Sequence, residues 1–193
     1  EFSVPSLETL AKSAYKVSCV YTQPPKKSNR GHKLNTSAVQ KCAESFNLKV
    51  RSPNNLNTKE ELNFFEDLDP DIVVVVAYGK LIPKKFLQIP KKGFINIHAS
   101  LLPKWRGAAP IERSLMNQDN KTGISIMKIV EKLDAGPIMK KEVISIEENM
   151  NSFDLRNRLA SLSSEIILDC IDDIEKGNAI FKEQNEKEAT YAK

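Results

Sequence analysis

The sequence predicts an α/β fold built on a doubly wound, mostly parallel sheet. Three observations lead there. Stretches with helical spacing alternate with short β-type runs along the whole 193-residue chain. Ile72-Val73-Val74-Val75-Val76-Ala77 is a continuous apolar run dominated by β-branched residues, as in a parallel strand buried on both faces. A composition 40% hydrophobic and 28% charged suits one sizeable core and would crowd a second domain.

The elements follow in order. Leu7, Leu10, Ala11 and Ala14 share one face and predict a helix over Ser6 to Ala14. Val17 to Tyr21 predicts a strand. Gln23 to Lys33 holds two prolines, a glycine and no period, and reads as a loop. Thr36 or Ser37 caps a predicted helix through Phe46, and Leu48 to Arg51 predicts a short strand. Thr58 with Glu61 has capping-box spacing, opening a helix that ends before Asp69-Pro70. After the apolar run, Phe94 to His98 predicts a second central strand, and Ala108 to Asn117 a helix. Gly123 to Val130 predicts a strand, and Pro137 to Ile146 another, of antiparallel character. Ser152 to Ile174 has Leu155, Leu159, Leu162, Ile166, Ile167, Cys170 and Ile174 on one face, and Gly177 ends that helix.

Several classes are disfavoured. The longest apolar run is far short of the roughly 20 residues that span a bilayer, so no membrane association is expected. Glu1 to Pro5 has no basic segment leading into an apolar one, hence no signal peptide, and a cytoplasmic protein is expected. Cys19, Cys42 and Cys170 are widely spaced and predict reduced thiols, with no metal site. Residues 24–106 carry 15 Lys and Arg against 7 Asp and Glu, whereas residues 131–193 carry 9 against 14. A basic first half suits a polyanionic partner, although a solvated lysine-rich surface serves equally on charge alone.

Ligands of such sheets sit beyond the carboxyl ends of the strands. Asn96 and His98 fall near such an end, two residues apart, and therefore on one face. A carboxamide donates without ionising and an imidazole exchanges protons near neutral pH. The pair suits stabilisation of an oxyanion beside a proton transfer. Asp134, in Leu133-Asp134-Ala135-Gly136-Pro137, could be turned back toward them as a carboxylate that orients His98. Taken singly, a strand histidine is more often structural and an aspartate before Ala-Gly-Pro more often a turn former.

The run Asn96-Ile97-His98-Ala99-Ser100-Leu101-Leu102-Pro103-Lys104-Trp105-Arg106-Gly107-Ala108-Ala109-Pro110-Ile111 resembles the signature of the folate-dependent formyltransferases. Thr22-Gln23-Pro24, Val74 to Gly79 and Leu133 to Gly136 fall in the family's order and spacing, so the resemblance covers essentially the whole chain. It implies a Rossmann-like catalytic domain over 1–193 that moves a formyl group from 10-formyltetrahydrofolate to an amine. It implies Asn96, His98 and Asp134 as the catalytic trio. Asn96 and His98 would bond the oxyanion, while Asp134 would remove the amine proton. Ser100, Leu101, Leu102 and Pro103 would bind the folate, with Tyr78, Gly79 and Leu81 walling the pterin; ordinary core packing is the other reading of the two leucines. No metal is expected.

The resemblance is greatest to the branch whose acceptor is the methionine amine of initiator methionyl-tRNA. Its tRNA-contacting loop would fall on Pro24 to Leu34, with Lys26, Lys27, Arg30 and Lys33 as contacts. Asn29, His32 and Pro25 depart from the family's residues there, and His32 is assigned no chemistry. Arg106, with Trp105, could line the acceptor-stem entrance, or the two could support each other. A monomer is expected. The family's first hydrophobic strand and Gly-Thr-Pro turn are not found ahead of Glu1-Phe2-Ser3, and its C-terminal β-barrel would begin beyond Lys193. The expectation is thus a catalytic domain lacking its first strand and the tRNA-binding barrel. Other readings are a formyltransferase for an amino sugar nucleotide, a hydrolase releasing formate, and a non-catalytic folate- or RNA-binding module.

Overall fold

The computed structural model describes residues 1–28 and 33–192. The chain runs through α1 (Val4–Lys12), β1 (Val20–Tyr21), β2 (Lys26–Ser28), β3 (Lys33–Asn35), α2 (Ala38–Ser45) and β4 (Val50–Arg51). It continues with α3 (Lys59–Asp67), β5 (Val73–Val76), α4 (Lys84–Leu87), β6 (Phe94–His98), β7 (Arg106–Gly107) and α5 (Pro110–Met116). Then come β8 (Lys121–Lys128), β9 (Ile138–Ser145), α6 (Ser152–Glu175), a 3-10 turn at Glu186–Glu188 and β10 (Tyr191–Ala192). The α/β expectation holds. Parallel pairings join β1 to β4, β5 to β6 and β7 to β10. The main sheet has the order β5-β6-β8-β9, and β8 lies antiparallel to both its neighbours.

Local chemistry sets the helix starts. The Ser37 and Thr58 side chains accept from Gln40 N and Glu61 N, and Asn151 accepts from Phe153 N and Asp154 N. Each satisfies a backbone donor that a helix start leaves open. The capping box expected at Thr58 is only half formed. The Glu61 carboxylate bonds Arg51 and Tyr21 instead. The periodic face of α6 buries Leu155, Leu159, Ile166, Ile167, Cys170 and Ile174 against Ile95, Ile97, Ile124 and Ile126 of β6 and β8. Each such aliphatic side chain stabilises the fold by about 1.5–3 kcal/mol. Since Ile95 and Ile97 face α6, Phe94, Asn96 and His98 face the other side of the sheet.

Three expectations are corrected. Val73–Val76 is a parallel strand with apolar neighbours on both faces, but it is neither central nor fully buried. It is half-buried and forms one edge of the four-stranded sheet. A cleft of about 730 Å³ lies beside it, lined by β1, β5, Tyr78 and residues of α1. The apolar run therefore reflects one face packed on Phe65 and Phe86 and the other on the α6 core, not two neighbouring strands. Second, part of the loop after Gln23 is ordered as antiparallel β2 and β3, with Lys27 opposite Leu34. Third, only Val20–Tyr21 of the segment from Val17 pairs as a strand. Among the described residues no helix is long and apolar enough to cross a membrane.

Candidate active site

β6 delivers Asn96 and His98 to the carboxyl end of the sheet. Its register sets Asn96 opposite Val75 and Met127, and His98 opposite Ser125. His98 is 6% exposed. Its Nε2 lies 2.9 Å from the Trp105 carbonyl oxygen. A carbonyl can only accept, so Nε2 carries the proton and donates. That leaves Nδ1 facing the Asp134 carboxylate, with Oδ2 3.7 Å away. The Asn96 carboxamide is half-buried and shares the His98 face of β6.

Asp134 reaches this position through a turn with an uncommon backbone. Its φ is +44°, in the left-handed region that L residues rarely hold. The Gly107 N–H donates to its Oδ2 at 2.8 Å, and Gln184 Nε2 donates to its carbonyl at 2.8 Å. Gly107 has φ +113°, and a Cβ there would lie 2.6 Å from the Ala192 carbonyl oxygen. Only a residue without a side chain lets β10 and this donor approach together. The structure thus brings His98 and Asp134 side by side, as the spacing alone could not settle.

The loop Ser100–Pro103 follows directly. Ser125 Oγ donates to the Ser100 carbonyl at 2.7 Å and accepts from Leu102 N at 3.0 Å. Leu102 is fully buried with Met127 and Ile138 and its N–H is taken by Ser125, so, contrary to expectation, it presents no surface to a ligand. Tyr78 lines the cleft beside β5, which none of Asn96, His98, Asp134 or Ser100–Pro103 lines. Among the described residues its Oη is buried without a hydrogen-bond partner, and burial, with Glu61 nearby, pushes the phenol up. Gln23 Nε2 donates to its carbonyl at 2.6 Å, joining the Thr22-Gln23-Pro24 and Tyr78-Gly79 segments. Gly79 holds φ +71°, and Leu81 is 85% exposed.

Arg106 is corrected. It is 0% exposed and cannot touch a nucleic acid. Its guanidinium donates to Gln184 Oε1 at 3.1 and 2.8 Å and to Glu186 at 3.2 and 2.9 Å. A buried charge is tolerated only when paired and hydrogen-bonded in this way. Trp105 does not stack on it, but donates through Nε1 to Asp119 at 2.7 Å. Lys26, Lys27 and Lys33 lie on β2 and β3, while Arg30 lies outside the described residues. Sequence reasoning missed Ser125, Gly107, Gln184 and Thr190. Thr190 Oγ1 accepts from Trp105 N at 2.9 Å and fixes the loop beside His98. Among the described residues no group of three or more His, Cys, Asp or Glu could hold a metal ion.

Comparison with known proteins bears on this geometry. Residues 4–171 match the family model described as Formyl transferase. A methionyl-tRNA formyltransferase of Pelagibacter ubique is 52% identical over 192 residues, covering 99% of this chain and 62% of that protein. One of Thermotoga maritima is 41% identical over 192 residues, covering 100% of this chain and 61% of its own. The chain thus spans about three fifths of these curated relatives. Among solved structures, glycinamide ribonucleotide transformylase 1 from Symbiobacterium toebii superposes with a TM-score of 0.77 at 17% identity, over 95% of this chain and 90% of that one. An N-formyltransferase from Helicobacter canadensis, solved with folinic acid and dTDP-3-aminofucose, gives 0.73 at 18% identity, over 100% and 67%. These two likenesses concern the fold.

Proposed function

This chain belongs to the formyl transferase family, and from that premise we propose that it is the catalytic domain of an enzyme transferring a formyl group from 10-formyltetrahydrofolate to the α-amine of initiator methionyl-tRNA. The carrying observation is His98 Nδ1 facing Asp134 Oδ2 at 3.7 Å, at the carboxyl end of β6 and beside Ser100–Pro103. The names of relatives at 41% and 52% identity support the choice of acceptor.

In this reading the amine nitrogen attacks the formyl carbon, forming a C–N bond and moving the carbonyl π pair onto oxygen. Asn96 donates to that oxyanion from its carboxamide. His98 has committed Nε2–H to Trp105, so only Nδ1 is available. Nδ1–H donates a hydrogen bond to the oxyanion from beside the Asp134 carboxylate. Asp134 takes the amine proton, directly or through a water. Collapse breaks the bond to the folate nitrogen, which receives the His98 proton, and Asp134 returns its proton to Nδ1. The proton count closes within the pair. The Ser100–Pro103 loop holds the folate through its partly exposed residues Leu101 and Pro103, with Tyr78, Gly79 and Leu81 contributing beside it. Lys26, Lys27, Arg30 and Lys33 contact phosphates of the tRNA.

Asn96→Ala is expected to slow single-turnover formyl transfer by on the order of 100- to 1,000-fold. A rate near that of the wild type would remove Asn96 from the mechanism. The acceptor is decided by supplying the formyl donor with methionyl-tRNA, with an amino sugar nucleotide, or with no amine. Faster turnover of the sugar, or formate release with no amine, would overturn the assignment.

A further inference from the structure

Asp134 is held at both ends by groups that never reach the reacting atoms. Its carboxylate takes the Gly107 N–H at 2.8 Å. Its main-chain carbonyl, and that of Gly136, take hydrogens from one nitrogen, Gln184 Nε2, at 2.8 and 2.7 Å. The other end of that carboxamide, Oε1, accepts from Arg106 Nε and a terminal guanidinium nitrogen at 3.1 and 2.8 Å. The orientation is chemically unambiguous. Carbonyls cannot donate and guanidinium cannot accept, so the reversed amide would lose all four bonds.

Arg106 is itself clamped. Glu186 neutralises it, Lys132 donates to Glu186 Oε2 at 2.6 Å, and its backbone is strand β7, paired with Tyr191. Gly107, the next residue, supplies the donor to the Asp134 carboxylate. One rigid unit, Arg106-Gly107, therefore fixes the Asp134 side chain directly and its backbone through Gln184. That backbone needs fixing, because φ of +44° at a non-glycine residue relaxes when unsupported.

We propose that Gln184, oriented by Arg106, is a positioning residue that sets the Asp134 carboxylate against His98. The inference rests on the catalytic assignment of Asp134 and deepens it. Gln184 acts through the Asp134 and Gly136 carbonyls and touches no substrate. Its loss lets the turn relax and moves the carboxylate away from Nδ1. Misplacement on the ångström scale costs on the order of 100-fold in rate, and supporting hydrogen bonds around a site commonly carry about 10- to 100-fold.

The test is a double-mutant cycle on single-turnover formyl transfer, with donor affinity measured beside it. Gln184→Ala is expected to lower the rate about 10- to 100-fold while donor affinity stays within about twofold. In an Asp134→Asn background the same substitution should change the rate by less than about twofold, since no carboxylate remains to be placed. Gln184→Glu keeps the Arg106 contact and the side-chain shape but loses both donors. It serves where the alanine variant fails to fold, and should behave in the same way. A spectroscopic readout separates this inference from the catalytic reading. The chain has 2 histidines, so the His98 ring resonances are assigned against His32→Gln. They should shift at fixed pH in either Gln184 variant, whatever the turnover. Equal rate losses in both backgrounds, or unmoved His98 resonances, would overturn the positioning role. An Asp134→Asn protein with wild-type turnover would instead sink the catalytic reading, and the inference with it.

Discussion

Replacing Ser125 with alanine removes a single oxygen, and its cost can be worked from its neighbours. Ser125 is 0% exposed. Its hydroxyl donates to the Ser100 carbonyl at 2.7 Å and accepts from Leu102 N at 3.0 Å. Ser100 and Leu102 are themselves 0% exposed, so no solvent stands ready to replace either bond. A buried backbone group left unpaired costs about 1–3 kcal/mol, and two are orphaned here. Partial relaxation of the loop toward water lowers the sum, giving about 2–4 kcal/mol. For a chain of this size each kcal/mol moves Tm by about 2–4 °C, so a fall of about 4–16 °C is expected. The loop concerned is the one assigned to folate. If about 1.4 kcal/mol of the cost falls on re-ordering it at each binding event, donor affinity drops about tenfold. Urea unfolding with an unchanged m-value, together with a donor titration, measures both. A stability loss below about 0.5 kcal/mol with unaltered donor affinity would refute the claim that Ser125 pins the loop, since surface substitutions cost no more.

Two further outcomes follow from the clamp around Arg106. The Arg106 guanidinium, then Lys132, holds the Glu186 carboxylate down at about 2. Its folded value lies below the ordinary value near 4.3, so its stabilising contribution is present above that value and is lost as pH falls toward 2. Urea midpoints should therefore decline more steeply below about pH 4.3 in the wild type than in Glu186→Gln; parallel profiles would count against the ion pair. Gly107→Ala places a Cβ 2.6 Å from the Ala192 carbonyl at φ +113°, so β7 must shift and the donor to Asp134 with it. Turnover should fall by about 100-fold, and a rate within twofold of the wild type would show that this donor does not place the carboxylate.

What the sequence carried depended on how far apart the cooperating residues lie. Ser37, Thr58 and Asn151 cap helices through groups three residues or fewer away, so two of the three were readable from local spacing. The α6 face repeats over 24 residues and was equally plain. β7 and β10 are two residues each and pair Arg106 with Tyr191, too short for any period and too distant for any local motif. The run at Val73–Val76 misled for another reason. Hydropathy records that both faces of a strand meet apolar neighbours, but not whether both edges are hydrogen-bonded. At the site, Asn96, His98 and Asp134 were visible as residue types. The Gly107 N–H was not, because a backbone donor has no residue-type signature.

Arg106 shows how the same limit distorts a reading of charge. Residues 24–106 hold an excess of basic side chains, which suggested a surface prepared for a polyanion. Among the described residues, several of those charges are already answered. Arg106 pairs with Glu186, Lys84 with Glu131 and Lys104 with Asp119, while Arg51 pairs with Glu60 and Glu61 and Lys91 with Asp69 and Asp71. Two of these partners, Glu131 and Glu186, come from the acidic last third. The asymmetry along the sequence is therefore partly cancelled in space, and the field at the surface is weaker than the count implies. Exposed pairs contribute little to stability, yet they do neutralise charge at a distance. In the proposed reading, Arg106 of the Trp-Arg-Gly run is withdrawn from the tRNA contacts, and Lys26, Lys27, Arg30 and Lys33 remain the proposed ones. On the proposed reading, that run serves the chemistry from the inside, since Arg106 holds Gln184 and Gln184 holds the Asp134 carbonyl.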